Sequence, residues 1–173
     1  MSAKRKVFFA LLPSTKTCDS IISLQKKFKK KPGRWIVPQN IHITLCFIGY
    51  VDELELKCIN EVAETLAGEK IKFELDVIGK FKRASIVWLG SRRKCEPIYD
   101  LNSELCENLA FCGLKVNSQK FRAHITLARK ADVNVLVPEF DSIEWCSDFF
   151  YLMESVQIPN GVEYKILKKY CLN

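Results

Sequence analysis

The sequence contains two histidines, and both stand in the same setting, His-Ile-Thr-Leu, at residues 42–45 and 124–127. In a β-strand, residues two apart point to the same side. Each copy would therefore present an imidazole and a hydroxyl together, His42 with Thr44 and His124 with Thr126, while Ile43, Leu45, Ile125 and Leu127 turn the other way. On a helix the same spacing would separate them. A solitary histidine on a strand is ordinarily a structural residue, and threonine is a common strand former. Repetition argues otherwise: at ordinary residue frequencies a second copy has a chance of roughly one in several thousand.

Two imidazoles titrate near neutral pH, so one can give a proton while the other takes one. A metal site would want further ligands, and no Asp, Glu or Cys is obviously spaced to supply them. A Ser or Cys nucleophile would need only one base. In-line displacement at phosphorus uses both imidazoles, one activating the attacking water and the other protonating the leaving oxygen from the opposite side. The hydroxyls of Thr44 and Thr126 would hydrogen-bond the non-bridging oxygens. The pattern points to phosphodiester chemistry without a metal, with a bell-shaped pH profile whose limbs lie between about 5 and 8.

The elements that would hold these residues follow from periodicity and turn residues. Strands are expected over residues 4–12, 35–37, 41–48, 71–82, 84–89, 123–129, 143–157 and 162–170. Helices are expected over about 14–29, 52–67 and 96–113, the last closed by Gly113. Residues 131–142 read as a loop, and Asn160-Gly161 as the turn of a final hairpin. A helix precedes each histidine strand. The 82 positions between His42 and His124 are too many for a solenoid repeat and suggest two pseudo-equivalent lobes sharing one interface.

At 173 residues, the chain suits one domain, 1–173. Its 48% hydrophobic and 27% charged content is that of a soluble globular protein rather than a disordered one. A formal charge of +7 favours an anionic partner such as nucleic acid, although a solvated lysine surface explains it as well. No two of the eight cysteines have C-x-x-C spacing, and several fall in apolar patterns. All are expected to be reduced, which suits the cytoplasm. The apolar run at residues 7–12 is too short for a secretory leader, and none approaches a membrane span.

The His-x-Thr strands, the block "GRWIVPQNIHITLCFIG", the strand "ASIVWLG" and the block "FRAHITLAR" together resemble the 2H phosphoesterase superfamily. Within it the chain is similar to the RNA 2′,3′-cyclic phosphodiesterases of LigT or ThpR type, historically called 2′-5′ RNA ligases. The resemblance runs from "KVFFALLP" almost to the C-terminus. It implies an α+β, bilobal 2H phosphoesterase fold: two pseudo-symmetric lobes, antiparallel sheets lining a central cleft, and helices outside. It also implies hydrolysis of RNA 2′,3′-cyclic phosphate ends to 2′-phosphomonoesters with no cofactor and no metal, as in tRNA processing. By position His42 matches the proton donor, His124 the proton acceptor, Thr44 and Thr126 the phosphate-binding hydroxyls, and Arg129 a substrate-binding arginine. Where the family commonly has proline before the second histidine, this chain has Ala123.

Parity puts Arg129 opposite His124 on a regular strand, so reaching the cleft requires a bulge or the strand's end. On the first strand, Val7, Phe9 and Leu11 face one way and Phe8, Ala10 and Leu12 the other. Analogy to the family favours Phe9 as a stacking residue for a base. Trp35 and Trp88 read as packing aromatics. A basic cluster (Lys26, Lys27, Lys29, Lys30, Lys31 and Arg34), together with Arg92, Arg93 and Lys94, would guide RNA phosphates or simply solvate a surface. Two other readings stay open: reversible 2′-5′ RNA ligation in the same site, and a non-catalytic module whose histidines anchor an RNA end. The expected partner is RNA or an oligonucleotide with a 2′,3′-cyclic phosphate, bound by a monomer away from membranes. The His-x-His-x-His run of histidine-triad hydrolases does not occur.

Overall fold

The computed structural model describes residues 4–114, 116, 121–159 and 161–173. The first half runs β1 (Arg5–Leu11), α1 (Thr15–Lys26), β2 (Arg34–Trp35), β3 (Ile43–Val51) and α2 (Glu53–Thr65). Then come β4 (Ile71–Leu75), β5 (Val77–Phe81), β6 (Ile86–Gly90), α3 (Glu96–Leu109), β7 (His124–Arg129), β8 (Ile143–Ser147), β9 (Phe149–Ile158) and β10 (Gly161–Cys171). Asn160 of the expected hairpin turn lies outside the described residues.

Local chemistry sets the helix ends. The Ser14 hydroxyl accepts from Thr17 N–H and starts α1. Asp52 and Glu55 form a reciprocal capping box on α2. Beyond α3 a short 3-10 turn ends at Gly113, whose φ of 72° is the left-handed conformation glycine adopts without strain.

One antiparallel sheet carries the strands in the order β10-β9-β1-β3-β7-β6-β5, with β2 added beside β7. The two lobes anticipated from the sequence are its two halves. They join at a narrow seam, where the register between β3 and β7 consists of the pair Ile43 and Ile125. One face buries Ile43, Leu45, Val87, Leu89, Ile125 and Leu127 with the apolar sides of the helices. The other face carries both histidines.

Two expected strands are broken. Residues 71–82 divide at Asp76 and residues 143–157 at Asp148, because β4 and β8 leave the main sheet to pair with each other. At both breaks the aspartate takes part in backbone pairing elsewhere: Asp76 N–H donates to the Gly90 carbonyl, and the Asp148 carbonyl accepts from Leu172 N–H. No glycine or proline marks either point. The helix expected to reach residue 29 stops at Lys26, leaving the lysine cluster outside it.

The cysteines also depart from expectation. Cys58 on α2 and Cys112 after α3 form a disulfide with Cα atoms 5.8 Å apart, and six cysteines are free. Helix packing brings together two residues 54 positions apart, which spacing alone could not reveal. The pair removes the support that wholly reduced cysteines gave to a cytoplasmic location. Among the described residues, no helix is long and apolar enough to cross a membrane.

Candidate active site

His42 directly precedes β3 and His124 opens β7. Since Ile43 faces Ile125 across an antiparallel rung, His42 lies on the Thr126 side of it and Thr44 on the His124 side. The imidazoles thus stand on a diagonal across the two strands.

Each ring is oriented by the same bond. His42 Nδ1 lies 2.7 Å from the Asn40 carbonyl and His124 Nδ1 lies 2.8 Å from the Arg122 carbonyl. A carbonyl only accepts, so each Nδ1 carries the hydrogen and each neutral ring presents the lone pair of Nε2. His42 Nε2 is 3.0 Å from the Thr44 hydroxyl, which can donate to it. Asn40 is itself held through its Nδ2, which donates to the Val162 carbonyl at 2.7 Å.

Aromatic rings pack each imidazole. Phe8 and Tyr164 lie 5.2 and 5.0 Å from His42. Phe81 and Trp88 lie 5.0 and 6.4 Å from His124. Burial among them disfavours the charged ring and pushes His42 down to about 4, with the Arg129 and His124 charges adding to the effect and the Asn40 carbonyl opposing it. His124 is lowered too, chiefly by burial and then by Arg129 and Arg122, against the Arg122 carbonyl. His42 thus lies below the limbs of 5 to 8 expected for unperturbed rings, and His124 moves in the same direction.

The structure supplies the bulge that Arg129 requires. Thr126 pairs with Trp88 but Ala128 with Val87, leaving Leu127 as an extra residue. Leu127 and Ala128 are both buried, and Arg129 returns to the histidine face, where it lines a cavity with His42 and Thr126. The first lobe repeats the device: Ala10 pairs with Thr44 and Phe9 with Cys46, so Leu45 is extra, and Phe47 emerges exposed.

Phe9, expected to stack on a base, is instead fully buried in the core against Phe150 and Tyr170. The face of β1 that carries Val7, Phe9 and Leu11 is the core face, and Phe8 on the other face takes the place beside His42. Tyr164, Phe81, Asn40 and Arg122 were not anticipated. Tyr164 and Phe81 come from segments remote from the motifs, whereas Asn40 and Arg122 stand two residues before each histidine and orient it through a backbone carbonyl, which residue type does not reveal. Among the basic residues, Arg34 lines the His42 cavity and Lys94 the His124 cavity, whereas Lys27 and Arg92 line a different one beside Phe140. Trp88 packs against Phe81 as expected, while Trp35 packs on Phe28 and also lines the His42 cavity.

A site with two imidazoles of fixed tautomer, two hydroxyls and a guanidinium can bind an anion and move protons on either side of it. Among the described residues, His, Cys, Asp and Glu side chains form no cluster of three or more that could hold a metal. Residues 13–145 match the model of the 2′-5′ RNA ligase superfamily. The chain is 30% identical over 139 residues to the RNA 2′,3′-cyclic phosphodiesterase of Escherichia coli (strain K12), covering 80% of this chain and 79% of that protein. It is 27% identical over 177 residues to the protein of the same name from Methanocaldococcus jannaschii, covering 95% and 99%. The structure of E. coli LigT complexed with 3′-AMP superposes with a TM-score of 0.92 at 27% identity, over 99% of both chains. The MHV ns2 PDE domain shares the fold alone, at TM-score 0.58 and 11% identity.

Proposed function

Since this chain belongs to the 2′-5′ RNA ligase superfamily, we propose that it hydrolyses the 2′,3′-cyclic phosphate at an RNA end to a 2′-phosphomonoester. Two relatives of matching length carry the name of that activity, and the paired motif supplies groups suited to it. The phosphate sits between the imidazoles. His42, protonated at Nε2, gives that proton to the leaving 3′-oxygen, while Nε2 of His124 takes a proton from the attacking water. Thr44 and Thr126 donate to the non-bridging oxygens, and Arg129 balances their charge. No metal enters these steps.

The observation that carries the reading is the shared orientation of the rings. Each Nδ1 is tied to a carbonyl two residues earlier, leaving both Nε2 atoms for the substrate. His42 is depressed in the free protein, so the anionic phosphate must raise it for the ring to act as an acid.

The test is turnover of a cyclic-phosphate-terminated oligonucleotide in excess EDTA, with phosphorus NMR identifying the product. A 2′-phosphate is expected, and His42→Ala or His124→Ala should each slow the reaction by roughly 10²–10⁴-fold. Undiminished turnover in either variant, or a requirement for metal, would overturn the reading.

A further inference from the structure

We infer that Asn102 on α3 and Gln25 on α1 are positioning residues, whose carboxamides hold the backbone bulge that follows each threonine of the site. The inference deepens the phosphodiesterase reading above and rests on it.

Each histidine strand carries its extra residue directly after the threonine, Leu45 after Thr44 and Leu127 after Thr126. A bulged residue drops out of the regular ladder. Its carbonyl, closed off from water, then needs a donor from elsewhere. Asn102 Nδ2 donates to the Leu45 carbonyl at 2.7 Å. Gln25 Nε2 donates to the Leu127 carbonyl at 3.4 Å and to the Ile36 carbonyl at 3.3 Å. A carbonyl has two lone pairs, and Leu127 also accepts from Ile36 N–H at 2.9 Å. The same chemistry thus meets the same atom in both halves.

The two donors stand at comparable places on their helices. Each is half-buried and directly follows a buried leucine, Leu24 on α1 and Leu101 on α3. A carboxamide turned towards the core without a partner would be costly. Asn102 is further fixed one turn along its own helix, where its Nδ2 lies 3.6 Å from Cys106 Sγ.

The helices cross between the halves. α1 comes before β3 in the chain but holds the bulge of β7. α3 comes before β7 but holds the bulge of β3. The two grips therefore lie on strands that meet at the rung of Ile43 and Ile125, and each ties one half to the other.

What the bulges place is the polar side of the site. On a regular β7, Arg129 would share the core side with Ile125 and Leu127. The extra residue returns it to the cavity of His42 and Thr126. On β3, the Thr44 hydroxyl lies 3.0 Å from His42 Nε2, with its backbone joined to the bulge. Releasing the Leu45 carbonyl would move the hydroxyl that meets the proton donor. Releasing the Leu127 carbonyl would move the guanidinium that meets the anion. Asn102 thus acts through Thr44 and His42, on the chemical step, and Gln25 through Arg129, on binding.

The test uses the full-length protein and an oligoribonucleotide ending in a 2′,3′-cyclic phosphate. Asn102→Leu and Gln25→Leu keep the bulk of each side chain and remove the donor. Displacing reacting groups by about 1 Å costs up to about 10²-fold in rate. Asn102→Leu should therefore lower kcat about tenfold or more with KM nearly unchanged, and Gln25→Leu should chiefly raise KM, about tenfold. Asn102→Ala and Gln25→Ala repeat the comparison with a strong helix former and no added apolar surface. Ile98→Val, a core change on α3 away from the bulges, reports what loss of packing alone does.

Two readouts need no turnover. The His42 ring signal, followed by NMR, should shift in the Asn102 variants. Inorganic phosphate should bind about tenfold more weakly to the Gln25 variants, as expected for a displaced charged partner. If these changes appear while the unmodified protein leaves the cyclic end intact, the phosphodiesterase reading fails and the positioning roles stand. Either residue whose variants match Ile98→Val in kinetics, ring signal and phosphate binding has no positioning role.

Discussion

Ile43 and Ile125 face each other across the seam between β3 and β7, and the two imidazoles stand diagonally on either side of that rung. Both isoleucines are fully buried. The separation of His42 and His124 is therefore fixed by apolar packing beneath them rather than by any bond between the histidines.

Truncating the rung should accordingly affect stability and chemistry together. Ile125→Ala removes buried volume and should cost about 2–5 kcal/mol. Its turnover at saturating substrate should fall although no polar group has changed, because misplacing the reacting groups is costly. Urea denaturation and steady-state kinetics at a temperature where the variant is folded would check both. Native-like kcat in a destabilised variant would contradict the positioning role of the rung.

The pH dependence should lie further to acid than for ordinary histidines. His42 is depressed to about 4 and His124 is lowered from its usual 6.5. In the proposed mechanism the active form has a proton on His42 and none on His124. On that basis kcat/KM, which reflects the free protein, should peak below pH 6.5 and fall at higher pH as His42 loses its proton. kcat should peak at higher pH, because bound phosphate raises both rings. A kcat/KM maximum at or above 6.5 would contradict the assignment.

Stability should follow the same titration. The unfolded His42 takes up its proton as pH falls through 6.5, whereas the folded ring resists until about 4. Its neutral form thus contributes stability that is whole above 6.5 and lost as pH falls towards 4, by about 3 kcal/mol. His42→Gln should flatten that part of the curve. Parallel denaturation curves for the two proteins across this range would refute it.

Adjacent phenylalanines on β1 should behave oppositely. Phe9→Ala opens a core cavity and should cost about 3–5 kcal/mol. Phe8→Ala uncovers His42 and should raise the pKa of its ring, read by NMR titration, as water reaches it. An unmoved His42 titration in Phe8→Ala would show that burial by this ring is not what depresses it.

Gly79 makes room for Trp88. A Cβ added there would lie 1.9 Å from the indole, so Gly79→Ala must displace a ring packed against His124. A loss of stability of about 1–3 kcal/mol and a change in the His124 titration are expected. A crystal structure of the variant with Trp88 unmoved would contradict this.

Much of the candidate site's arrangement could be read from the sequence because strand parity is a two-residue rule. His42, Thr44, His124 and Thr126 needed only that. Arg129 needed a bulge, and bulges follow from pairing between strands, which a linear pattern does not contain. Phe9 departs from the expectation drawn from the family for a related reason: alternation says that neighbouring residues part company, but not which side becomes the core. Breaks at Asp76 and Asp148 and the pairing of Cys58 with Cys112 also arise only when distant segments meet.

The matched tautomers have a last consequence. Chemistry between two such rings, as proposed, ends with His42 neutral and His124 charged, the mirror image of how it began. The protein that releases product is therefore not yet the protein that binds substrate, and a proton must cross from one nitrogen to the other, through solvent, before the next cycle. In the interval the spent form is already charged for the backward reaction. Recharging thus becomes a step of its own, able to limit the rate.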